Sequence, residues 1–152
     1  MASNRVEVPR RGNPNYAGGL AVAVRSLLKR NPGLWFGWSG TVAVDQEVTT
    51  RSIQQGGLSY VIADLAAADY HEYYNGFANR VLWPILHYRL DFEEFSRRDL
   101  SGYRRVNVHF ANQIADWLCP DDVVWVHNYH LIPLAKLLRD RGLCNHLRPR
   151  DR

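Results

Sequence analysis

The sequence predicts an α/β domain, and three observations predict it. Amphipathic helical patterns alternate along the chain with short apolar runs, as in a parallel sheet covered by helices. Val123–Val126 is a four-residue apolar run of the kind found in buried parallel strands. The 152 residues are 46% hydrophobic and 22% charged, a composition that suits one globular domain and argues against a disordered chain.

The first part of the chain predicts one helix and one strand. After an irregular basic opening, Gly18-Gly19 starts a helical pattern whose apolar residues recur every three to four positions as far as Leu28. Asn31-Pro32-Gly33 ends this helix. Leu34–Trp38 is then a short apolar strand, which Ser39-Gly40 stops.

A hairpin and a long helix follow. Glu47–Ile53 and Leu58–Ala63 have strand-like patterns joined through Gly56-Gly57. Asp64 is the predicted N-cap of a helix that extends to about Arg80, with Pro84 as the break after it.

The last part predicts two more helices around the strand Val123–Val126. Tyr103–Leu118 is strongly amphipathic, because its large apolar residues share one helical face. Pro133–Arg141 is a further helix, which Gly142 caps.

Charge and composition exclude several functional classes. The net charge is +4, but residues 1–12 and 143–152 carry +2 each, so the body of the chain is neutral and predicts no nucleic-acid groove. No apolar run approaches the roughly 20 residues of a membrane helix, and no signal peptide is visible. Two cysteines, Cys119 and Cys144, make no disulfide framework, which predicts a cytoplasmic protein.

Two loops are candidates for ligand binding. Gly18-Gly19 at a helix start suits an anion, because backbone N–H groups are accessible there, but an ordinary turn has the same composition. His127–His130 directly follows a predicted parallel strand, where ligands bind in open α/β sheets. A hydrogen-bonded strand end is the alternative. Zinc is not expected, since no cysteine pair at metal spacing accompanies these histidines.

Aromatic and cationic residues suggest a sugar phosphate. Tyr73, Tyr74 and Trp83 could stack on a sugar ring, although their helical spacing fits core packing as well. Arg5 could hold a phosphate through two parallel hydrogen bonds, or be a solvated charge.

Several segments together, in order and spacing across Ser3–Gly142, carry a family resemblance. They are Ser3-Asn4-Arg5, Ala17-Gly18-Gly19-Leu20, Gly33-Leu34-Trp35-Phe36-Gly37-Trp38-Ser39-Gly40, Glu72-Tyr73-Tyr74-Asn75, Val81-Leu82-Trp83-Pro84, His87-Tyr88-Arg89-Leu90, Gly102-Tyr103-x-x-Val106-Asn107 and Trp125-x-His127-x-Tyr129-His130-Leu131. The chain resembles the trehalose-6-phosphate synthases, retaining glycosyltransferases that join UDP-glucose to glucose-6-phosphate.

The resemblance implies a GT-B enzyme of two Rossmann-like domains with the active site between them. This chain would be the N-terminal domain, incomplete at both ends. The residues that bind the acceptor, glucose-6-phosphate, would be Arg5, Trp38, Tyr74, Trp83 and Asn128.

The resemblance also implies how the donor is handled. Gly18 and Gly19 would approach the UDP-glucose diphosphate. The reaction would need no metal and no cofactor, and the partners would be the two substrates, with a homo-oligomer allowed and no nucleic acid or membrane involved.

Three departures from the family pattern stand out. Asn128 occupies a position where the family has Asp. Only Met1-Ala2 precede Ser3, where the family has an apolar strand, so the strand that should lie beside Val123–Val126 is expected to be missing and the sheet gapped or shortened. After Gly142 the family has a strand with a catalytic His, whereas this chain has a basic tail.

These departures predict a domain of residues 1–142, a non-family tail of residues 143–152 and no nucleotide-binding domain, as in a truncated or frameshifted product that is inactive alone. Two alternatives stay open. One is a related transferase with another phosphorylated acceptor, and the other is a non-catalytic fragment that binds a sugar phosphate or a synthase subunit.

Overall fold

The computed structural model describes residues 1–8, 22–24, 26, 33–43, 50–55, 57–92 and 94–143, with Phe92 described for its backbone alone. Residues 22–24 and 26 are helical, inside the first predicted helix. The rest of that helix, with Gly18 and Gly19, lies outside the described residues, as do Gly56 and the first residues of the predicted strand at Glu47.

The described residues contain one five-stranded sheet. Its strands are β1 (Ala2–Arg5), β2 (Gly33–Ala43), β3 (Thr50–Gln55), β4 (Leu58–Ala66) and β5 (Val126–His127). Their spatial order is β3-β4-β2-β1-β5, in which β3 alone runs antiparallel, as the hairpin partner of β4. Counted without β3, the parallel strands have the order 3-2-1-4 of a doubly wound domain. The predicted α/β class and the predicted hairpin are confirmed.

The expectation of a missing first strand is wrong. Ala2–Arg5 itself forms β1, which pairs in parallel with β2 on one side and β5 on the other. The backbone N–H of Ala2 donates to the carbonyl of Trp125 at 2.8 Å. The sheet has no gap, although β5 is shorter than the predicted Val123–Val126. A polar sequence can form this central strand because its buried side chains find partners, as described below.

The central strands are buried on both faces, which explains their continuous apolar sequence. Alternate residues of β2 and β4 point to opposite sides. One side buries Phe36, Val61 and Ala63 against the long helices. The other buries Trp35 and Tyr60 in a smaller cluster that includes Val24, in the helical residues 22–24. Strand β2 also continues past the predicted stop at Ser39-Gly40, with a register irregularity after Trp38 and a left-handed φ of 89° at Gly40.

Helix α1 follows β4 directly. It comprises an α-helical turn (Ala67–Asp69), a π-helical stretch (Tyr70–Leu82) and a second α-helical turn (Trp83–Leu86). Asp64 is not its N-cap, because β4 extends through Asp64 to Ala66. Pro84 does not break it either. It lies in the first turn of the second α-helical segment, where a missing N–H is tolerated, and the carbonyl of Arg80 nearby accepts from the N–H of Glu94 at 3.2 Å.

Two more helices cover the same face. Helix α2 (Arg97–Ala115) begins earlier than predicted, at the N-cap Ser96, whose hydroxyl accepts from the N–H of Asp99. It also ends earlier, which leaves Trp117 outside it and 41% exposed. Helix α3 (Leu134–Asp140) confirms the last predicted helix. Short 3₁₀ turns occupy Leu90–Phe92 and Tyr129–Leu131.

Helices α1 and α2 approach closely through two glycines. A Cβ on Gly102 would lie 2.3 Å from the Cβ of Glu72, and one on Gly76 would lie 2.5 Å from the carboxyl carbon of Asp99. Buried Glu72 accepts from Arg98 at 2.7 Å and from Arg105 at 2.8 Å. The hydrogen bond from Arg98, followed by that from Arg105, lowers the pKa of Glu72, which therefore stays ionised between the helices. None of the described helices is long and apolar enough to cross a membrane.

A test of the β1–β2 contact is Gly37→Ala. A Cβ on Gly37 would lie 2.2 Å from the backbone carbonyl oxygen of Ser3, so two strands must separate. We expect a loss of about 1–3 kcal/mol in the free energy of unfolding, measured by urea denaturation. Ser52→Ala on the exposed face of β3 is the control and should change it by less than about 0.5 kcal/mol. An equally small change for Gly37→Ala would show that the strands are not so close.

Candidate active site

Arg5 and Trp38 meet at the end of β1, beside the register irregularity of β2. They are register partners in the sheet, and the guanidinium carbon of Arg5 lies 5.8 Å from the centre of the Trp38 ring. Gly40 leaves room for this arrangement, since a Cβ there would lie 2.8 Å from Nη2 of Arg5. The carboxyl edge of a parallel sheet is where open α/β domains bind ligands. The guanidinium of Arg5, which was predicted to hold a phosphate, is therefore exposed at the edge of the sheet where such domains bind ligands.

The Trp38 indole is fixed by its neighbours. It is 6% exposed, and its Nε1 donates to the carbonyl of Thr41 at 2.7 Å. Its ring centre lies 5.4 Å from that of Tyr70 and 5.8 Å from that of Tyr74. The indole thus joins the end of the sheet to helix α1.

The π-helical stretch of α1 aligns two tyrosines. The rings of Tyr70 and Tyr74 stack at 5.5 Å with 14° between their planes. π-Helical turns are rare and concentrate at functional sites, because they change which side chains face a pocket. Tyr73, by contrast, is fully buried and donates to Oδ1 of Asn4 at 2.7 Å. Of the two predicted sugar-stacking tyrosines, Tyr73 is therefore core, whereas Tyr74 is half-buried against Trp38 and His130.

Asn128 and His130 complete the contacts around Tyr74. Asn128 is exposed and has a left-handed φ of 87°, a conformation that Asn tolerates better than most residues. Its Oδ1 lies 3.0 Å from Nδ1 of His130. The His130 ring stacks on Tyr74 at 5.2 Å with 20° between the planes. Burial lowers the pKa of His130 to about 4, so its imidazole is neutral at ordinary pH.

Helix α2 holds this loop in place. The hydroxyl of Tyr103 donates to the carbonyl of Tyr129 at 2.8 Å, and Nδ2 of Asn107 donates to the carbonyl of His130 at 3.1 Å. From α1, Asn79 accepts a hydrogen bond from the hydroxyl of Tyr129 at 3.1 Å. Loop residues 128–130 are therefore anchored by two helices and the sheet, which makes a preformed site.

The structure brings four predicted acceptor residues together. Arg5 contacts Trp38, Trp38 contacts Tyr74, and His130 links Tyr74 to Asn128. We call these five residues, His130 included, the acceptor cluster. Trp83, the fifth predicted acceptor residue, lies further along α1, where its 44% exposed indole stacks on His87 at 4.3 Å. The predicted donor residues Gly18 and Gly19 lie outside the described residues.

Sequence reasoning did not single out Tyr70 or the contact role of His130. Ordinary helical spacing does not distinguish Tyr70 from the other aromatic residues of this helix, since a π-helical stretch has no sequence signature. His130 did follow a strand, but only the fold shows that it lies beneath Tyr74. Within the described ranges there is no group of three His, Cys, Asp or Glu side chains that could hold a metal ion.

The sequence model of glycosyltransferase family 20 matches residues 8–146. This chain belongs to glycosyltransferase family 20. It is 50% identical over 149 residues to the trehalose-6-phosphate synthase of Sinorhizobium fredii, a match that covers 97% of this chain and 32% of that family member.

Solved structures of the family share its fold. The alpha,alpha-trehalose-phosphate synthase (UDP-forming) from Burkholderia vietnamiensis superposes with a TM-score of 0.87 at 44% identity, covering 95% of this chain and 31% of that one. The enzyme from Burkholderia xenovorans in complex with glucose-6-phosphate gives 0.83 at 43% identity, with coverage of 95% and 30%. The chain therefore spans about a third of the length of these relatives.

The burial of neutral His130 predicts a pH-dependent stability. The unfolded chain takes up this proton near pH 6.5, whereas the folded chain resists it down to about 4. Folding stability should therefore be lost as pH falls from about 6.5 to about 4, by ~3 kcal/mol in total, and be unaffected by this group above that window. Denaturant unfolding of the wild type and of His130→Phe at both ends of the window measures the difference. Parallel losses in the two proteins would contradict it.

Proposed function

We propose that this chain forms the acceptor side of the active site in a glucosyltransferase that transfers glucose from UDP-glucose to glucose-6-phosphate with retention of configuration. The observation that carries the proposal is the acceptor cluster. It places an exposed guanidinium, an aromatic surface and an exposed amide at the carboxyl edge of one parallel sheet. The family relatives and the glucose-6-phosphate complex of one of them support it.

Three members of the acceptor cluster, Arg5, Tyr74 and Asn128, suit different parts of a sugar phosphate. Arg5 offers paired N–H donors that match a phosphate, and the hydrogen bonds are charge-assisted. Tyr74, whose ring is stacked on Tyr70 and His130, offers its hydroxyl to sugar oxygens. Asn128 offers an amide, which binds a hydroxyl without adding a charge. Trp83 is proposed to close the pocket from the far end of α1.

The proposed transfer uses no metal and no cofactor. Departure of UDP would be assisted by cationic side chains and helix N-termini, which stabilise the negative charge that develops on the diphosphate. Gly18 and Gly19 are the residues proposed to approach that diphosphate from this chain. A homo-oligomer is part of the same proposal.

Arg5→Ala tests the phosphate contact. Hydrogen bonds to a charged group contribute about 1.5–3 kcal/mol, so calorimetric affinity for glucose-6-phosphate should fall roughly 10- to 100-fold. Arg104→Ala, on the exposed face of α2, is the matched control and should bind as the wild type does. Unchanged affinity in Arg5→Ala, or tighter binding of UDP than of glucose-6-phosphate by the wild type, would refute the assignment.

The transfer itself can be measured in a chimera. Residues 1–143 would replace the matching segment of the Sinorhizobium fredii synthase. We expect UDP release that requires glucose-6-phosphate and is unchanged by a chelator. A well-folded chimera that binds UDP-glucose but does not turn over would contradict the proposal. Turnover with a different phosphorylated acceptor would favour the related transferase, an alternative that the neutral Asn128 allows.

Asn128→Asp in the same chimera tests acceptor preference. A carboxylate accepts hydrogen bonds from sugar hydroxyls about twice as strongly as an amide oxygen. We expect kcat/KM for glucose-6-phosphate to rise by roughly 5-fold, which corresponds to ~1 kcal/mol. Equal or lower values would mean that the amide suits this acceptor at least as well as a carboxylate does.

A further inference from the structure

His130 lies beneath two residues of the proposed acceptor site without itself reaching solvent. It is 4% exposed, and its ring is stacked against Tyr74 at 5.2 Å and against Tyr129 at 4.2 Å. Tyr73 approaches it edge-on at 5.8 Å. A histidine in such a place could be replaced by an apolar aromatic residue if only packing were required, so its two nitrogens need an explanation.

The nitrogens differ sharply in their surroundings. Nδ1 lies 3.0 Å from Oδ1 of Asn128, whereas Nε2 is buried and has no hydrogen-bond partner among the described residues. A neutral imidazole carries one proton. If it sat on Nε2, a buried N–H would be unpaired, and orphaned donors are rarer and costlier than orphaned lone pairs. The proton therefore belongs on Nδ1, which donates to the amide oxygen of Asn128.

This tautomer fixes the orientation of Asn128. With Oδ1 engaged by Nδ1–H, the NH₂ group must take the other side of the amide, and Asn128 is exposed. The backbone supports the same arrangement, since the carbonyl of Asn128 accepts from the N–H of Leu131 at 3.0 Å and closes the turn. Hydrogen bonds within residues 128–131 thus determine the orientation of both the side-chain amide and the backbone carbonyl of Asn128.

We propose that His130 is a positioning residue, which holds the Asn128 amide with its NH₂ group outward so that the site offers a neutral donor to a lone-pair oxygen of the acceptor. Such a site favours an acceptor whose oxygen at that point accepts a hydrogen bond, a hydroxyl or a phosphate oxygen. Only a hydroxyl can also donate to a carboxylate, so the gain expected of Asn128→Asp requires a hydroxyl at that point. The inference rests on the proposed function, because it assumes that Asn128 faces the acceptor. The orientation itself can be tested without any ligand.

The first test is the tautomer. Nitrogen chemical shifts of ¹⁵N-labelled chain at neutral pH should show His130 protonated on Nδ1 and bare on Nε2. A proton on Nε2, or a charged ring, would overturn the proposal. Because no acceptor is added, this result does not depend on whether the chain binds a sugar phosphate.

The second test separates positioning from packing with two substitutions. His130→Phe keeps the stacked ring and removes the donor, and it replaces an unpartnered nitrogen with a carbon. His130→Asn keeps an amide donor near the place of Nδ1 and removes the ring. We expect the first to unfold at or above the wild-type midpoint but to bind glucose-6-phosphate about 2- to 10-fold more weakly, the effect of one hydrogen bond. The second should be less stable but bind within about 2-fold of the wild type.

The matched control is His109→Phe. His109 on α2 also has a buried, unpartnered Nε2 among the described residues, and burial lowers its pKa, but its ring packs on Phe110 and makes no ring contact with the acceptor cluster in the described part of the chain. It should leave binding unchanged. Loss of affinity that follows loss of stability across all three variants would reduce His130 to a structural role and refute positioning. If the wild type binds no glucose-6-phosphate, the proposed function fails while the tautomer result still stands.

Discussion

The structure depends on strand β1, the one strand that pairs with both halves of the sheet. Four residues join β2 on one side to β5 on the other, so the C-terminal helices and the loop after β5 are placed by this strand. Its side chains are unusually polar for a central position, and Ser3 and Asn4 are buried. Burial of such groups is tolerable only when they are hydrogen-bonded.

Those hydrogen bonds also connect the layers. Trp35 Nε1 donates to Oγ of Ser3 at 2.8 Å, and the Tyr73 hydroxyl donates to Oδ1 of Asn4 at 2.7 Å. One side chain of β1 therefore binds the neighbouring strand and the next binds helix α1. The third, Arg5, reaches the end of the sheet beside Trp38. Ser3 and Asn4 thus stabilise the fold, whereas Arg5 is proposed to bind the substrate.

The loop after β5 shows how tightly the site is coupled to the fold. Residues 128–130 accept hydrogen bonds from α2 and donate one to α1, and the His130 ring stacks on Tyr74. The helices are themselves locked by glycine contacts and by buried Glu72 with its two arginines. The side chains of this loop are therefore held by contacts with the neighbouring helices as well as by the loop conformation, which is the condition for a preorganised binding site.

The sequence by itself determined the α/β class, the hairpin, the last helix and the family, and it supplied the predicted acceptor residues. These follow from short-range spacing and from specific motifs such as the Trp-Phe-Gly-Trp run of β2. Boundaries that depend on partners distant in sequence were not predictable. Asp64 has the chemistry of an N-cap but lies in β4, where it accepts from Ser39 and Arg51. Pro84 lies inside α1, in the first turn of its last α-helical segment, where a proline is tolerated.

Only the tertiary structure decided three further points. Met1-Ala2 looked too short for a strand, yet Ala2–Arg5 forms one because Trp35 and Tyr73 satisfy its polar side chains. Tyr73 and Tyr74 are adjacent in sequence, but Tyr73 is buried with its hydroxyl on Asn4, and Tyr74 packs on Trp38 and His130. The histidine beneath Asn128 became visible as part of the site only through its stacking on Tyr74. In each case the deciding contact joins residues far apart in sequence, and no local pattern encodes such a contact.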